Sequence, residues 1–268
     1  MHSMYMITGA TGGLGKAFAA ECAARGWDLF LTDISEERLA MLAQALERAH
    51  GVTVRFKAAD LTDAESRQKI LTEVAEQGLR FRGLINVAGL DHEGFFMERS
   101  AEEITTILRL NIESALLTLH AILPHRDHAL TFRIINVSSL GGYFAMPIKA
   151  TYAASKRFLL DFSLALRNEL RDENVTVTAL CPAGLPTTPG TREAIEAQGL
   201  MGQLTTKNIG GVAHQAVEAA LRGRATVVPG FLNRALLLFS GLIPPAQIVE
   251  LVGARWRAAH QRRVSSGA

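Results

Sequence analysis

The segment "TYAASKR", residues 151 to 157, sets Tyr152 and Lys156 four residues apart. On a helix that spacing puts both side chains on one face, about 6 Å apart between Cβ atoms. The pair has a chemical use. A phenol titrates near ~10 in water, so it must be drawn down before it can take a proton from an alcohol at neutral pH. An ammonium group within several Å favours the phenolate and does this. Thirteen residues upstream of Tyr152, Ser139 sits in "INVSSLGG", where its hydroxyl could donate to a substrate oxygen as negative charge develops there. Ser138 alternates to the other face and is expected to pack or cap. Taken alone, Tyr-x-x-x-Lys is also the pattern of a surface tyrosine beside a surface lysine.

A second group of residues suits a phosphate. The first apolar run leads into "TGATGGLG", Thr8 to Gly15, and a helical stretch follows at Lys16–Arg25. Glycines there allow a tight turn with positive φ, close approach of backbone to a pyrophosphate, and close packing of helix on strand. The free N–H groups of the helix start would face the anion. A flexible loop can have the same composition, so the context matters. Asp33 lies eighteen residues after Gly15, at the tip of the second strand, where an acid can hydrogen-bond both ribose hydroxyls of an adenosine. Its carboxylate repels a 2′-phosphate, and neither Ile34 nor Ser35 offers a positive charge, so the spacing favours NAD over NADP. Asp33 could instead cap the next helix. Asp60, in "ADLTD", could accept from an adenine amino group or cap the helix beginning near Thr62, and the two roles can coexist.

The elements that must position these residues alternate along the chain. Met4–Thr8, Asp28–Asp33, Thr53–Ala58, Gly83–Val87, Phe132–Ser138, Val175–Cys181 and Ala225–Val228 read as short strands, apolar on both faces as buried parallel strands are. Helical stretches such as Glu36–His50 and Ala101–Leu123 separate them. This predicts an α/β fold: a doubly wound parallel sheet of about seven strands with right-handed crossovers and helices on both faces, in three α/β/α layers. No linker or repeat divides it, so residues 1–229 read as one domain and 230–268 as a C-terminal tail. The tail is apolar, but its longest clean run, Ala235–Ile243, has nine residues, and a membrane-spanning helix needs about 20. It reads as two short helices docked on the protein or a partner copy, or as an interfacial membrane patch anchored by Trp256 between Arg255 and Arg257.

Composition removes other classes. The 268 residues are 48% hydrophobic and 20% charged, with a formal net charge of +2. That supports a substantial core and argues against a nucleic-acid partner. Cys22 and Cys181 stand far apart and read as buried reduced thiols. The eight histidines show no metal-ligand spacing. "MHSMYMITGA" has no basic region before its apolar run, so a cytoplasmic location is expected.

In this order, the motifs resemble those of the short-chain dehydrogenase/reductase family, single-domain type. The likeness runs from Met4 to about Pro229. It rests on Thr8-Gly9-x-x-x-Gly13-x-Gly15, Asp60-Leu61, Asn86-Val87-Ala88-Gly89, Asn111, then Ser139, Tyr152 and Lys156, and finally "CPAGLPTT". The resemblance implies a Rossmann-type sheet and a role for each position. Tyr152 would be the general acid/base, Lys156 would tune it and hold the nicotinamide ribose, Ser139 would orient the substrate oxygen, and Asn111 would support a water-linked proton relay. Gly9, Thr11, Gly13, Leu14, Gly15, Asp33, Asp60, Leu61, Asn86, Ala88, Gly89 and Pro182 would line the cofactor site with Tyr152 and Lys156, and Leu185 and Thr187 would meet the nicotinamide carboxamide. It further implies a homodimer or homotetramer paired through the helices at Ala101–Leu123 and Thr151–Arg171.

Two departures stand out. Val87 replaces the usual second asparagine, and Pro182-Ala183-Gly184 stands where Pro-Gly is usual. The tail is similar to that of a subgroup acting on lipid-like or acyl carbonyl compounds, many of which prefer NADP; Asp33 argues against that preference here. Apolar candidates for the pocket wall are Leu90, Phe95, Phe96, Leu140, Tyr143, Phe144 and Met146, with the loop Pro186–Gln203. The expected reaction is the NAD-linked interconversion of a secondary alcohol and a ketone on a hydrophobic molecule, such as a hydroxysteroid or an acyl ketone. The alternatives are a nucleotide-sugar epimerase or dehydratase, whose glycine turn also fits Gly9, Gly12 and Gly15, and a non-catalytic dinucleotide sensor.

Overall fold

A computed structural model describes residues 3–91, 93–187, 206–240 and 242–265. Seven strands form one sheet: β1 (Met4–Thr8), β2 (Leu29–Asp33), β3 (Val54–Ala58), β4 (Phe81–Asn86), β5 (Phe132–Val137), β6 (Val175–Leu180) and β7 (Thr226–Val227). Their spatial order is β3-β2-β1-β4-β5-β6-β7, and every pairing is parallel. The chain winds outward from β1 to β3 and returns to β4. The strand direction of growth therefore reverses beside β1, leaving a crevice at the carboxyl ends of β1 and β4, where such sheets take ligand.

Side-chain alternation explains the three layers. Tyr5 and Ile7 of β1 join Leu29, Leu31, Ile85 and Ile135 on one face, under α1 (Gly13–Ala23), α2 (Glu36–His50) and α7 (Ile209–Leu221). Met4 and Met6 point the other way, with Phe30, Leu84 and Ile134, toward α3 (Ala64–Glu76) and α5 (Ser114–Ile122). The Rossmann-type, three-layer expectation holds, and each strand falls within two residues of its expected bounds. Cys22 and Cys181 are free and buried.

Two helical expectations change. Ala101–Leu123 is not one regular helix. It runs as α4 (Ala101–Leu108), a π turn over Arg109–Glu113, and α5. The π turn carries Asn111, whose side-chain amide exchanges hydrogen bonds with the Leu90 backbone on both sides, N to Oδ1 at 2.7 Å and Nδ2 to O at 2.9 Å. That clamp draws one residue out of the helical ladder. The stretch Ala101–His125 is long and apolar enough to cross a membrane by composition, but Ile107, Ala115, Leu119 and Ile122 are buried, as expected of a core helix. The tail forms α8 (Phe231–Ser240) and a longer α9 (Pro245–Ser265), rather than two short helices. Pro245 opens α9 at a position where a missing N–H leaves nothing unsatisfied. Asn233, fully buried, ties α8 to the domain by donating to Pro229 O at 2.8 Å.

Candidate active site

At the carboxyl ends of the central strands, Thr8, Asn86 and Asn136 stand in register across β1, β4 and β5. Thr8 Oγ1 accepts from Val87 N at 3.1 Å and Ala88 N at 3.2 Å. Asn86 Nδ2 donates to Asn136 Oδ1 at 2.9 Å, and Asn136 Nδ2 donates to Ser163 Oγ at 2.9 Å on α6 (Ala150–Glu169). Asn86 is buried and its Nδ2 donates into this strut and to Ala115 O at 3.3 Å, so it supports the site from below. The strut fixes α6 against β4 and β5, and α6 carries Tyr152 and Lys156.

The glycine turn has the shape of a cradle. Gly9 has φ +62°, and a Cβ there would lie 2.9 Å from Ala88 Cα. A Cβ on Gly15 would lie 2.0 Å from Gly9 O, which only glycine avoids. Thr187 lies over Gly13, and its N–H donates to Leu185 O at 2.8 Å. The loops after β1, β4 and β6 therefore converge on one crevice. Leu14 is buried at the start of α1, and Pro182, also buried, accepts from Leu140 N at 2.7 Å, joining the β6 loop to the segment after Ser139. Asp33 accepts from Thr11 N at 2.8 Å and Ile34 N at 2.7 Å. The cap of α2 is Ser35, so Asp33 is not needed for that. Asp60 accepts from Thr62 N and Oγ1, and the cap of α3 is Asp63 instead. Leu61 is buried, while Asp60 is exposed. Open glycine backbone, a helix start and an acid at the tip of β2 fit a dinucleotide.

Tyr152, Lys156, Ser139, Asn111 and Gly89 come together beside this cradle. Lys156 Nζ lies 5.9 Å from the Tyr152 ring centroid and donates to Val137 O at 2.9 Å. A Cβ on Gly89 would lie 3.0 Å from Asn111 Oδ1 and 3.1 Å from Lys156 Nζ, so glycine keeps that corner open. Asn111 Nδ2 also donates to Ser155 Oγ at 3.0 Å, locking the π turn to α6. Ser139 Oγ accepts from Gly141 N at 3.0 Å, while Ser138 donates to Lys156 O at 2.6 Å and so packs, as expected.

The electrostatics differ from expectation. Burial pushes the Tyr152 phenol up, the Asp91 carboxylate pushes it further the same way, and a hydrogen bond from Ser139 opposes them. The phenol is therefore raised, not drawn down, because the loss of hydration and the Asp91 charge outweigh the Ser139 hydrogen bond. Burial pushes Lys156 down to about 8, against Asp91, which raises it.

Four residues were not read from the sequence as part of this site, Trp256 having been read only as a membrane anchor. Arg38 on α2 donates from Nη2 to Thr11 O at 3.0 Å, placing a guanidinium in the Asp33 corner. Asp91, Lys149 and Trp256 gather beside Tyr152. Only Lys149, three residues before Tyr152, carried a spacing signal. Of the pocket-wall candidates, Phe144 and Met146 are half-buried, and Met146 Sδ packs over Gly141 next to Ser139. Phe95 and Phe96 are exposed. The part of Pro186–Gln203 beyond Thr187 lies outside the described residues.

The fold and this crevice are those of Rossmann-type dinucleotide-binding proteins. Residues 3–199 match the family described as short chain dehydrogenase, and the chain belongs to that family. It is 31% identical over 177 residues to a very-long-chain 3-oxoacyl-CoA reductase of Laccaria bicolor, covering 65% of this chain and 52% of that protein. It is 32% identical over 185 residues to 17-beta-hydroxysteroid dehydrogenase type 3 of Homo sapiens, covering 68% and 59%. The chain thus spans little more than half the length of these curated relatives. Among solved structures, a short-chain dehydrogenase from Sphingobium yanoikuyae in complex with NADPH superposes with a TM-score of 0.76 at 28% identity, over 90% of this chain and 93% of that one.

Proposed function

We propose that the protein is an NAD-dependent oxidoreductase that interconverts a secondary alcohol and a ketone on a hydrophobic molecule. The observation that carries this is the meeting of Ser139, Tyr152, Lys156 and Asn111 beside the glycine cradle. A sensor that only binds a dinucleotide has no need of a buried lysine facing a tyrosine.

Gly9, Gly13, Gly15 and Asp33 would hold the dinucleotide, with Ala88, Gly89, Leu185 and Thr187 around its nicotinamide end. When bound, that group would supply a hydride acceptor in oxidation and a donor in reduction, with a positively charged ring in the oxidised form. Ser139 orients the substrate oxygen. Tyr152 takes the hydroxyl proton in oxidation and returns it in reduction. Lys156, titrating at about 8, can exchange protons in the neutral to mildly alkaline range. Hydrophobic substrates are supported by Met146, packed over Gly141 beside Ser139, and by relatives named for 3-oxoacyl-CoA and hydroxysteroid substrates.

A second cofactor reading has one observation behind it. Arg38 could meet a 2′-phosphate, as a neighbour solved with NADPH makes worth testing. Asp33 is nearer the tip of β2 and commits both oxygens there, so NAD stays the preferred reading. Outward Leu108, Leu117, Phe158 and Leu164 on α4, α5 and α6 support pairing of copies through those helices. Phe231, Leu238, Phe239 and Leu242 support peripheral membrane contact through the tail.

The test is a turnover screen of steroid and acyl alcohols and ketones with NAD and NADP. Tyr152→Phe should abolish turnover and leave NADH binding within about threefold of wild type. A Tyr152→Phe protein that turns over normally refutes the proton-transfer assignment.

A further inference from the structure

The Tyr152 ring is flanked by two ammonium groups, not one. Lys156 Nζ lies 5.9 Å from its centroid and Lys149 Nζ 5.7 Å. Lys149 is the N-cap residue of α6 and its side chain is 8% exposed. Its Nζ donates to Asp91 Oδ2 at 2.6 Å and stands 3.8 Å from Glu93 Oε2. On its remaining side the Trp256 ring of α9 covers it at 4.6 Å from the centroid, a cation–π geometry that gains strength away from water.

The surrounding backbone is built to hold this arrangement. Asp91 follows Leu90, which Asn111 clamps through both backbone groups. Ile148, next to Lys149, has φ +72°, a region that a β-branched residue enters only when its neighbours impose it. Its carbonyl accepts from Gly94 N at 2.9 Å, stitching the turn before α6 to the loop that carries Asp91 and Glu93. From the other side α9 presses on the same turn: a Cβ on Gly253 would lie 2.9 Å from Pro147 Cγ.

We propose that Lys149 is a positioning residue for proton transfer at Tyr152, acting by neutralising the Asp91 carboxylate, and that Trp256 holds it there, making the tail helix a working part of the active site. The inference rests on Tyr152 as the proton-transfer group. A bare carboxylate beside the phenol favours its protonated form; a carboxylate paired with an ammonium does so much less. Lys156 also feels Asp91, but its Nζ hydrogen-bonds Val137 O and faces the corner beside Gly89 and Asn111, so the carboxylate's direct partner is Lys149. The charged and titratable groups around Tyr152 are Lys156 on its own helix, Asp91 and Glu93 after β4, Lys149 at the N-cap, Cys181 after β6 through its coupling to Lys156, and Arg257 of α9 beside Gly253.

The chain has three tyrosines, which allows a direct reading. Burial pushes Tyr5 up, and Tyr143 up to about 12, and the signal of both cancels in a difference against a protein that lacks only Tyr152. Tyrosinate absorbance of the NAD-loaded protein, less that of Tyr152→Phe in the same background, isolates Tyr152. Lys149→Met should raise its midpoint by about one pH unit, a tenfold change in ionisation. Asp91→Asn should lower it by a similar amount, and the double variant should return close to wild type. Trp256→Ala should shift it in the Lys149→Met direction by less, with Trp256→Phe restoring it. Opposite shifts from the two single variants cannot come from a general loosening of the fold, whereas coincident midpoints or shifts of one sign overturn the proposal. If Tyr152→Phe proves inactive and the midpoints coincide, the Lys149 role alone falls. If Tyr152→Phe turns over normally, the acid/base reading falls and takes this one with it.

Discussion

Lys156 is where function and stability oppose each other, and the conflict can be measured. The residue is 4% exposed, and burial lowers its titration to about 8 from an ordinary 10.5. At pH 7 the folded state must therefore hold a charge it would rather lose, and by linkage this costs about 3 kcal/mol relative to an unperturbed lysine. Lys156→Met keeps most of the length and removes the charge. It also removes the hydrogen bond to Val137 O at 2.9 Å, a loss of about 1 kcal/mol. The variant should be more stable than wild type by about 2 kcal/mol at pH 7.

The sign of the pH dependence follows from the direction of the shift. Between about 8 and 10.5 the unfolded chain binds the lysine proton and the folded chain does not, so wild-type stability gains with rising pH. Lys156→Met has no such gain. About 2.5 kcal/mol of its advantage should vanish between pH 7 and pH 10, bringing the two proteins level or reversing their order. Urea denaturation of both at the two pH values, without dinucleotide, makes the comparison. A variant less stable than wild type at pH 7, by an amount that does not change with pH, would show that the Lys156 charge is fully compensated in the fold and that the burial argument is wrong. The same substitution should abolish turnover, which is the usual exchange of stability for chemistry.

Asp33→Ala should raise the NADP-to-NAD ratio of kcat/KM by about tenfold, the scale of one lost charge contact, and Arg38→Ala in that background should lower it again; a wild type already preferring NADP in steady-state comparison defeats the charge argument. Gly15→Ala places a Cβ 2.0 Å from Gly9 O and should destabilise the turn by at least about 2 kcal/mol, with NADH binding, followed by fluorescence, lost; wild-type affinity in that variant would mean the cradle is not the binding site. Leu238→Asp with Phe239→Asp should release the protein from anionic vesicles in a sedimentation assay, and a wild type that never sediments with them removes the tail as a membrane contact.

What the sequence showed and what it hid divide by range. Tyr152 and Lys156 were legible because helical spacing is local, Ser139 because it ends a strand, and Asp33 because the loop from Gly15 to the tip of β2 has a nearly constant length in this fold. The sheet was legible for the same reason: a buried parallel strand announces itself in a few consecutive residues. The π turn at Asn111 was not, since the apolar periodicity of Ala101–Leu123 survives a single extra residue and the clamp that causes it comes from Leu90. Nor was the direction of the Tyr152 shift. A nearby ammonium can be read from spacing, but burial, the largest cause of the shift, is set by everything packed around α6. Lys149 pairs with Asp91 across 58 residues and meets Trp256 across more than a hundred, so no local pattern joins them. That separation bears on how the tail should be regarded. Read as a sequence, 230–268 is an apolar appendage whose partner is missing. In the folded chain, part of what it packs against is the Lys149–Asp91 ion pair beside the Tyr152 phenol, so trimming the tail to improve solubility should shift the Tyr152 midpoint before it alters the stability of the sheet.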